Sequence, residues 1–182
     1  MSEDAELMVK VRGGDEAAFA ALMDRWELPV KGFLLRMTRN AAEAEDLAQE
    51  AFVRVWQQRA RFRPGVEFRP WLFAIAVNLA RNRLRWWRRR PAVAFEEGMG
   101  NGGADAASGR SAVVRKERVE AVGSAVAALP RRLREALVLF EYEELSHTEI
   151  AAALSCTPKA VEARLYRARA LLRESLKVWA GP

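Results

Sequence analysis

Apolar residues recur along most of the chain at helical spacing, and no run alternates apolar and polar residues well enough to predict a strand. In AEAEDLAQEAFVRVWQQR they lie three and four residues apart, which predicts an amphipathic helix with one buried stripe. The stripe consists of Ala44, Leu47, Ala48, Ala51, Phe52 and Val55. Upstream, Asp15 can cap a helix that begins at EAAFAALMDRW, and a second helix covers VKGFLLRMT and ends near Asn40.

A different pattern occupies residues 70–91, PWLFAIAVNLARNRLRWWRRRP, after the loop RFRPGVEFRP. The first half is apolar and predicts a buried helix, whereas the second half holds six arginines and two adjacent tryptophans. A solvated face has no need of paired indoles, and a core has no need of arginines. The combination suits a polyanion that also offers flat rings, which describes nucleic acid with unstacked bases.

The composition changes from Pro91 to about Ser111, where Gly and Ala dominate and no helical stripe is present. This pattern predicts a flexible linker. Helices resume near Val113, and the step Leu129-Pro130 starts another one. The chain is therefore predicted to be all-α, with two small helical domains joined by a flexible linker.

The segment LSHTEIAAALSCTPKAVEARLYRARALLRE predicts two helices around a tight turn. Ser146 and Glu149 form a capping box for a short helix, and Thr157 followed by Pro158 starts a longer one. An outward face of the longer helix would carry Lys159, Glu162, Ala163, Tyr166 and Arg167. An ordinary helical hairpin with a solvated charged face would also give this periodicity. Caps on both sides of the turn and a cluster of arginines favour a helix-turn-helix in a four-helix C-terminal domain, whose second helix fits the major groove of DNA.

The charge is distributed unevenly along the chain. The formal net charge is +6, but residues 1–60 carry a net −3 and residues 61–90 a net +8. A local basic block is typical of a nucleic-acid or anionic-membrane surface, and an acidic neighbour can meet a basic protein.

Several classes of site are disfavoured by composition. One cysteine excludes an internal disulfide, and one histidine leaves no metal cluster, so we expect no metal and no cofactor. Cys156 is expected to be a small buried turn residue, and His147 an exposed residue of a first helical turn. The N-terminus lacks the features of a signal peptide, and no apolar run approaches the roughly 20 residues of a membrane span. We expect a soluble protein in the cytoplasm.

Three segments in this order resemble bacterial sigma factors of the sigma-70 family, in the extracytoplasmic-function (ECF) group. DLAQEAFVRVW (46–56) resembles the region-two helix that holds core RNA polymerase. FRPWLFAIAVNLARNRLR (68–85) resembles the segment that melts and reads the −10 element, and residues 145–174 resemble region four, which reads the −35 element. The resemblance implies a region-two domain at residues 1–90, a linker at 91–112 and a region-four domain at 113–182.

The resemblance also implies roles for particular residues. A base flipped out of the −10 element would enter a pocket between the loop at 62–70 and the following helix. Single-strand contacts would come from Phe62, Arg69, Asn78, Arg81, Arg83 and Arg85. Duplex contacts at −35 would come from Lys159, Glu162, Ala163, Arg164, Tyr166 and Arg167. A basic coiled coil of the polymerase would meet Asp46, Gln49, Glu50, Val53 and Gln57, although a solvated helix surface explains their polar character equally well.

One departure from the family pattern concerns Glu162, since many members carry a basic residue there. A carboxylate repels phosphate but accepts a hydrogen bond from the amino group of cytosine, so the −35 preference is expected to be unusual. Trp86 and Trp87 have no counterpart role, and contact with DNA, packing on the linker and binding of a partner remain equal alternatives.

The expected function is thus to bind core RNA polymerase and direct it to promoters, with an anti-sigma factor as a further partner. A stand-alone helix-turn-helix regulator is the alternative, but it leaves Asn78 and the acidic helix unexplained. An enzyme acting on nucleic acid is disfavoured because no phosphate-binding glycine loop, metal cluster or nucleophile–base pair is visible, and no catalytic residue is assigned.

Overall fold

The computed structural model describes residues 2–89 and 110–177, with side chains of the fifth helix described from Lys116 onward. Within these residues the chain is helical with no strand, which confirms the all-α prediction. The predicted linker lies mostly outside the described residues. The helices are α1 Glu3–Arg12, α2 Glu16–Thr38, α3 Ala41–Gln57, α4 Phe68–Arg88, α5 Arg110–Ala128, α6 Arg131–Glu141, α7 His147–Leu154 and α8 Pro158–Ser175.

Helix α1 was missed by the sequence analysis. The side chain of Ser2 caps it by accepting from the backbone N–H of Ala5, and the first turn is acidic, which favours the positive end of the helix dipole. Ala5, Met8 and Val11 follow at three-residue spacing and are fully buried. The signal was present but short, and a stripe of only three apolar residues is easily overlooked.

Helix α2 is continuous, so the prediction of two helices around Pro29 is wrong. An interior proline removes one helical hydrogen bond and costs about 3 kcal/mol. Here the apolar face continues across it, since Leu22 and Val30 are both fully buried on either side of Pro29. Burying such side chains contributes about 1.5–3 kcal/mol each, which offsets the cost of the proline.

Helices α3 and α4 complete the first group of helices. All six predicted stripe residues of α3 are buried, as the periodicity indicated. α4 begins at Phe68, with Pro70 in its first turn, where the missing N–H has no helical partner to lose. α3 packs against both α2 and α4. We call α1 to α4 the N-terminal unit.

The second group, α5 to α8, contains the predicted helix-turn-helix. Both hydrogen bonds of the capping box between Ser146 and Glu149 are present at the start of α7. Ser155 ends α7 with a φ of 52°, in the left-handed region, and this bend turns the chain toward α8. Thr157 caps α8 by accepting from the backbone N–H of Ala160. We call α5 to α8 the C-terminal unit.

The two units are in contact. α7 packs against α4, and α6 packs against α2, so that the buried residues of both units belong to one apolar cluster. The sequence pattern predicts two domains on a tether and does not predict this junction.

The continuity of α2 leads to a prediction about stability. Pro29→Ala restores a helical N–H and should raise the free energy of unfolding by about 1–3 kcal/mol in urea titrations. Pro64→Ala is the matched control, because Pro64 lies exposed in the loop between α3 and α4. The control should have no effect or a small destabilising one, through a more flexible unfolded chain. Equal effects of the two changes would contradict a continuous α2.

Candidate nucleic-acid interface

The loop before α4 is built on a cluster of aromatic rings. Phe62 is only 1% exposed. Its ring centroid lies 5.4 Å from that of Trp71 and 6.4 Å from that of Phe68, both in edge-on geometry. Phe62 was predicted from family position to contact a flipped base, and in this arrangement its ring is buried in the cluster, so that role stays a prediction. A direct contact between Phe62 and DNA requires the loop to move away from Trp71 and Phe68. The resemblance gave the position of Phe62 in the family but not its burial.

Asn78 lies on the outside of α4, between the buried side chains of Val77 and Leu79. Arg85 is also exposed, seven residues further along the helix. Residues three, four and seven positions apart share one face of a helix, so Asn78, Arg81 and Arg85 lie on the same side of α4. This face brings together three of the six residues that the sequence analysis assigned to the −10 element.

Arg81 is not available on that face, because it is paired with Glu135 of α6. Its Nε donates to Oε1 of Glu135 at 2.9 Å and its Nη2 to Oε2 at 2.7 Å, a two-pronged geometry. The side chain of Glu135 is only 1% exposed. This hydrogen bonding raises the pKa of Arg81, with burial acting in the opposite direction.

The other two arginines of the −10 set are also engaged. Arg83 forms an ion pair with Glu43 of α3. Arg69 is half-buried beneath the junction, with its Cζ 5.6 Å from the ring centroid of Trp26 and its Nε buried without a hydrogen-bond partner. The structure thus leaves Asn78 and Arg85 exposed and turns the remaining members of the set inward or into pairs.

The outward face of α8 agrees better with the expectation. Lys159, Glu162, Ala163, Tyr166 and Arg167 are all exposed. Tyr166 is 75% exposed, so its ring and hydroxyl are both open on this face. The opposite side of α8 buries Val161, Leu165 and Ala168, which fixes the direction of this face.

Arg164 and His147 differ from the expectation. Arg164 is half-buried, and its Nη1 is buried without a hydrogen-bond partner, so it does not lie on the outward face with Arg167. His147 is half-buried rather than exposed. Its ring lies 5.3 Å from that of Phe140, and its Nδ1 lies 3.8 Å from Oε1 of Glu162. Cys156, expected to be buried, is half-buried.

The acidic face of α3 is exposed, as predicted, at Asp46, Gln49, Val53 and Gln57. Glu50 is half-buried, and its Oε1 accepts from Nη2 of Arg54 at 2.6 Å. Val53 is 52% exposed in the middle of these polar residues. The described face of α3 is thus a polar surface with one half-exposed apolar side chain at Val53.

The junction between the units contains charged residues that the sequence analysis did not single out. Glu143, which follows α6, is only 7% exposed, and burial raises its pKa to about 7 against the attraction of Arg36 and Arg69. The Cζ of Arg36 lies 3.9 Å from the ring centroid of Tyr142. The sequence offered one signal of this junction: Glu135 places a carboxylate among the apolar residues of α6, on the face of the helix that is buried.

Among residues 2–89 and 110–177, no group of three or more His, Cys, Asp or Glu is placed to hold a metal ion. In the same part of the chain, no helix has both the length and the apolar character required to cross a bilayer.

A helix-turn-helix with an outward polar face, joined to a unit with an arginine-rich helix, places this molecule in the class of helix-turn-helix DNA-binding proteins. Comparison with known proteins narrows the class. The family model Sigma-70 region 2 matches residues 22–90, and Sigma-70 region 4 matches residues 120–172.

Curated relatives match along nearly the whole chain. RNA polymerase sigma-H factor of Pseudomonas aeruginosa is 34% identical over 96% of this chain and 94% of its own. CarQ of Myxococcus xanthus is 38% identical over 93% and 95%. ECF RNA polymerase sigma factor SigW of Bacillus subtilis is 33% identical over 94% and 98%.

Solved structures agree in fold. CnrH, determined in complex with the cytosolic domain of CnrY, has a TM-score of 0.75 at 28% identity and covers 97% of this chain and 99% of its own. RpoE of Bartonella quintana has a TM-score of 0.72 at 24% identity, over 88% and 97%, and shows the fold alone. The chain belongs to the sigma-70 family, as a sigma factor of the ECF group. This family consists of regulators of transcription rather than enzymes.

The buried Glu143 predicts a dependence of stability on pH. Its pKa of about 7 in the folded protein exceeds the ordinary value of 4.5, so the folded state holds the proton more tightly. Stability from this group is present below pH 4.5 and is lost as the pH rises toward and through 7. Urea titrations between pH 5 and 8 should show this loss, and Glu143→Gln should reduce it. Glu144→Gln changes the exposed neighbouring residue and is the control. It should leave the dependence of the free energy of unfolding on pH unchanged.

Proposed function

We propose that this sigma factor reads the −35 element with the outward face of α8 and the −10 element with α4, while α3 holds core RNA polymerase. The observation that carries the proposal is an exposed face on α8, the second helix of a helix-turn-helix in which both helices are capped. This face carries Lys159, Glu162, Tyr166 and Arg167. Such a helix presents hydrogen-bonding groups to base edges in the major groove, where each base pair has a distinct pattern.

The division of labour follows the two units. We propose that residues 1–90 bind polymerase and the −10 element, that residues 113–182 bind the −35 element, and that residues 91–112 connect them. The family matches at residues 22–90 and 120–172 support this division. No residue is assigned a catalytic role, and we propose that the chain acts with polymerase in the cytoplasm as a specificity factor without an enzymatic activity of its own.

Contacts at −10 are proposed for the face of α4 that carries Asn78, Arg81 and Arg85. An amide offers a donor and an acceptor to a base edge, and guanidinium groups pair with phosphates. Arg69 and Arg83 are also proposed to contact DNA at −10. Each would first have to exchange its present contact, with Trp26 and Glu43 respectively, for a phosphate. The buried Phe62 supports the loop in front of this face through its packing on Trp71.

A regulatory partner is also proposed. CnrH, which is 28% identical, was solved with the cytosolic domain of CnrY bound. A protein that binds both units at once would keep this sigma factor from polymerase, and we propose an anti-sigma factor of that kind for this chain.

The test of the function is transcription in vitro with core polymerase, the purified chain and a pool of random promoters. We expect transcripts that share one sequence at −35 and one at −10. Arg167→Ala should weaken binding to the selected −35 duplex by about 1–3 kcal/mol, since a base or phosphate contact is lost. Arg169→Ala is the matched control on the same helix, because Arg169 pairs with Glu141 of α6 instead. A pool that yields no common sequence, or equal losses for both variants, would refute the assignment of α8.

The proposed polymerase surface gives a second prediction. Val53→Asp should lower the affinity for core polymerase several-fold without changing the free energy of unfolding, because the side chain is already half in solvent. Leu28→Asp is the control, since Leu28 is 76% exposed on α2 and lies outside the proposed surface. Affinity can be measured by titrating labelled sigma factor with core polymerase. Unchanged affinity of the Val53 variant would show that this face of α3 does not bind polymerase and is an ordinary solvated surface.

A further inference from the structure

The junction between the two units contains, beside its apolar packing, one ion pair whose geometry resembles an arginine–phosphate contact. Arg81 grips both carboxylate oxygens of Glu135 with two parallel hydrogen bonds, at 2.9 and 2.7 Å. The same fork of the guanidinium group matches two oxygens of a phosphate. Glu135 therefore offers Arg81 the charge and the geometry that a DNA backbone would offer.

The position of Arg81 on α4 makes this substitution relevant. Arg81 lies on one helical face with Asn78 three residues before it and Arg85 four residues after it. Both neighbours are exposed, whereas the side chain of Arg81 is 23% exposed. A nucleic-acid strand along this face would thus meet two available residues with an occupied arginine between them.

Separation of the units would affect the two partners of the pair differently. Glu135 also lies 3.5 Å from Nε of Arg131, one turn away in α6, and keeps this neighbour in its own unit. Arg81 makes its ion pair with a residue of the other unit, so it loses this partner when the units separate. An opened chain therefore presents an additional cation on α4, while the acid on α6 remains neutralised.

Other groups at the junction indicate that the contact is suited to opening. Arg134 donates to the backbone oxygen of Met37 at a long 3.3 Å, and its Nε is buried with no hydrogen-bond partner. Desolvation lowers the pKa of Arg134. Buried charges that are incompletely paired cost free energy, so a junction that contains them is held less firmly than an apolar one of equal size. Relative motion of two units of one chain is the usual expectation unless their interface is large and hydrophobic.

We propose that Glu135 is an internal substitute for a DNA phosphate: it occupies Arg81 in the free protein, holds the two units together, and is exchanged for the DNA backbone when the promoter is engaged. The proposal rests on the assignment of α4 to DNA made above. Free sigma factor would then bind single-stranded DNA weakly, because the strand must displace Glu135 before Arg81 can pair with it. The equilibrium between the two arrangements is set by which anion Arg81 prefers.

The first measurement concerns shape and involves no DNA. A compact chain of this length has a radius of gyration of about 16 Å. In small-angle X-ray scattering, Glu135→Gln should give a larger radius than the wild type, because the glutamine keeps the shape but not the charge. Arg81→Gln removes the same pair from the other unit and should expand the chain as well. Glu141→Gln is the matched control on α6, since Glu141 pairs with Arg169 inside the C-terminal unit.

The second measurement uses a fluorescein-labelled single-stranded oligonucleotide of random sequence, titrated with the full chain at several salt concentrations. Glu135→Gln should bind it about 3–10-fold more tightly, with a salt dependence steeper by about 0.7 in log–log slope, the value for one additional phosphate contact on a single strand. In an Arg81→Gln background the same change at Glu135 should give no gain. Glu141→Gln should match the wild type in both respects.

The outcomes separate this proposal from the proposed function. If Glu135→Gln leaves both the radius and the affinity unchanged while Arg81→Gln weakens DNA binding, the substitution by Glu135 is refuted and the role of α4 stands. If the chain expands without tighter binding, Arg81 is not a phosphate contact, and both the substitution and its −10 role fall. A gain in affinity that persists in the Arg81→Gln background would also overturn the proposal, since the effect would then be general charge removal. Circular dichroism confirms that each variant is folded, and Arg81→Gln keeps the test valid should the buried Glu135 not tolerate change.

Discussion

The burial of α4 is the packing interaction on which the rest of the structure depends. It packs against α1, α2 and α3 of its own unit and against α7 of the other. Large side chains such as Phe68, Leu72 and Phe73 are fully buried there, and each contributes about 1.5–3 kcal/mol relative to an exposed position. This packing fixes the rotation of the helix about its axis. The direction in which Asn78 and Arg85 face is therefore determined by apolar residues that never meet DNA.

The same principle governs the other helices with a proposed role. α3 and α8 each bury one stripe, which leaves a defined polar surface on the opposite side. In α3 that surface is acidic with an exposed valine, and in α8 it carries tyrosine, arginine and glutamate. A helix with one apolar stripe has only one stable orientation on its core, so its outward residues are placed without any contact of their own.

Features that depend on neighbours in sequence were predictable, and features that depend on distant residues were not. The buried stripe of α3 and the caps of α7 and α8 follow from spacing within one or two turns, and each was assigned residue by residue. The continuity of α2 was not, because a proline reads as a break until the packing on both sides is known. The role of Phe62 remains a prediction from family position, and its burial depends on Trp71. Arg81 and Glu135 are 54 residues apart, and no periodic pattern links them.

Pro29 has a mechanical consequence for the whole molecule. α2 has 23 residues, so it is a rod about 34 Å long at 1.5 Å per residue. One end lies against α1, and the other carries Arg36 and Met37 into contact with the C-terminal unit. Because proline has no N–H, the carbonyl of Arg25 lacks its helical donor, and the rod bends most easily there. The continuity of α2 across this point therefore depends on the burial of Leu22 and Val30 on either side of it rather than on an unbroken ladder of hydrogen bonds.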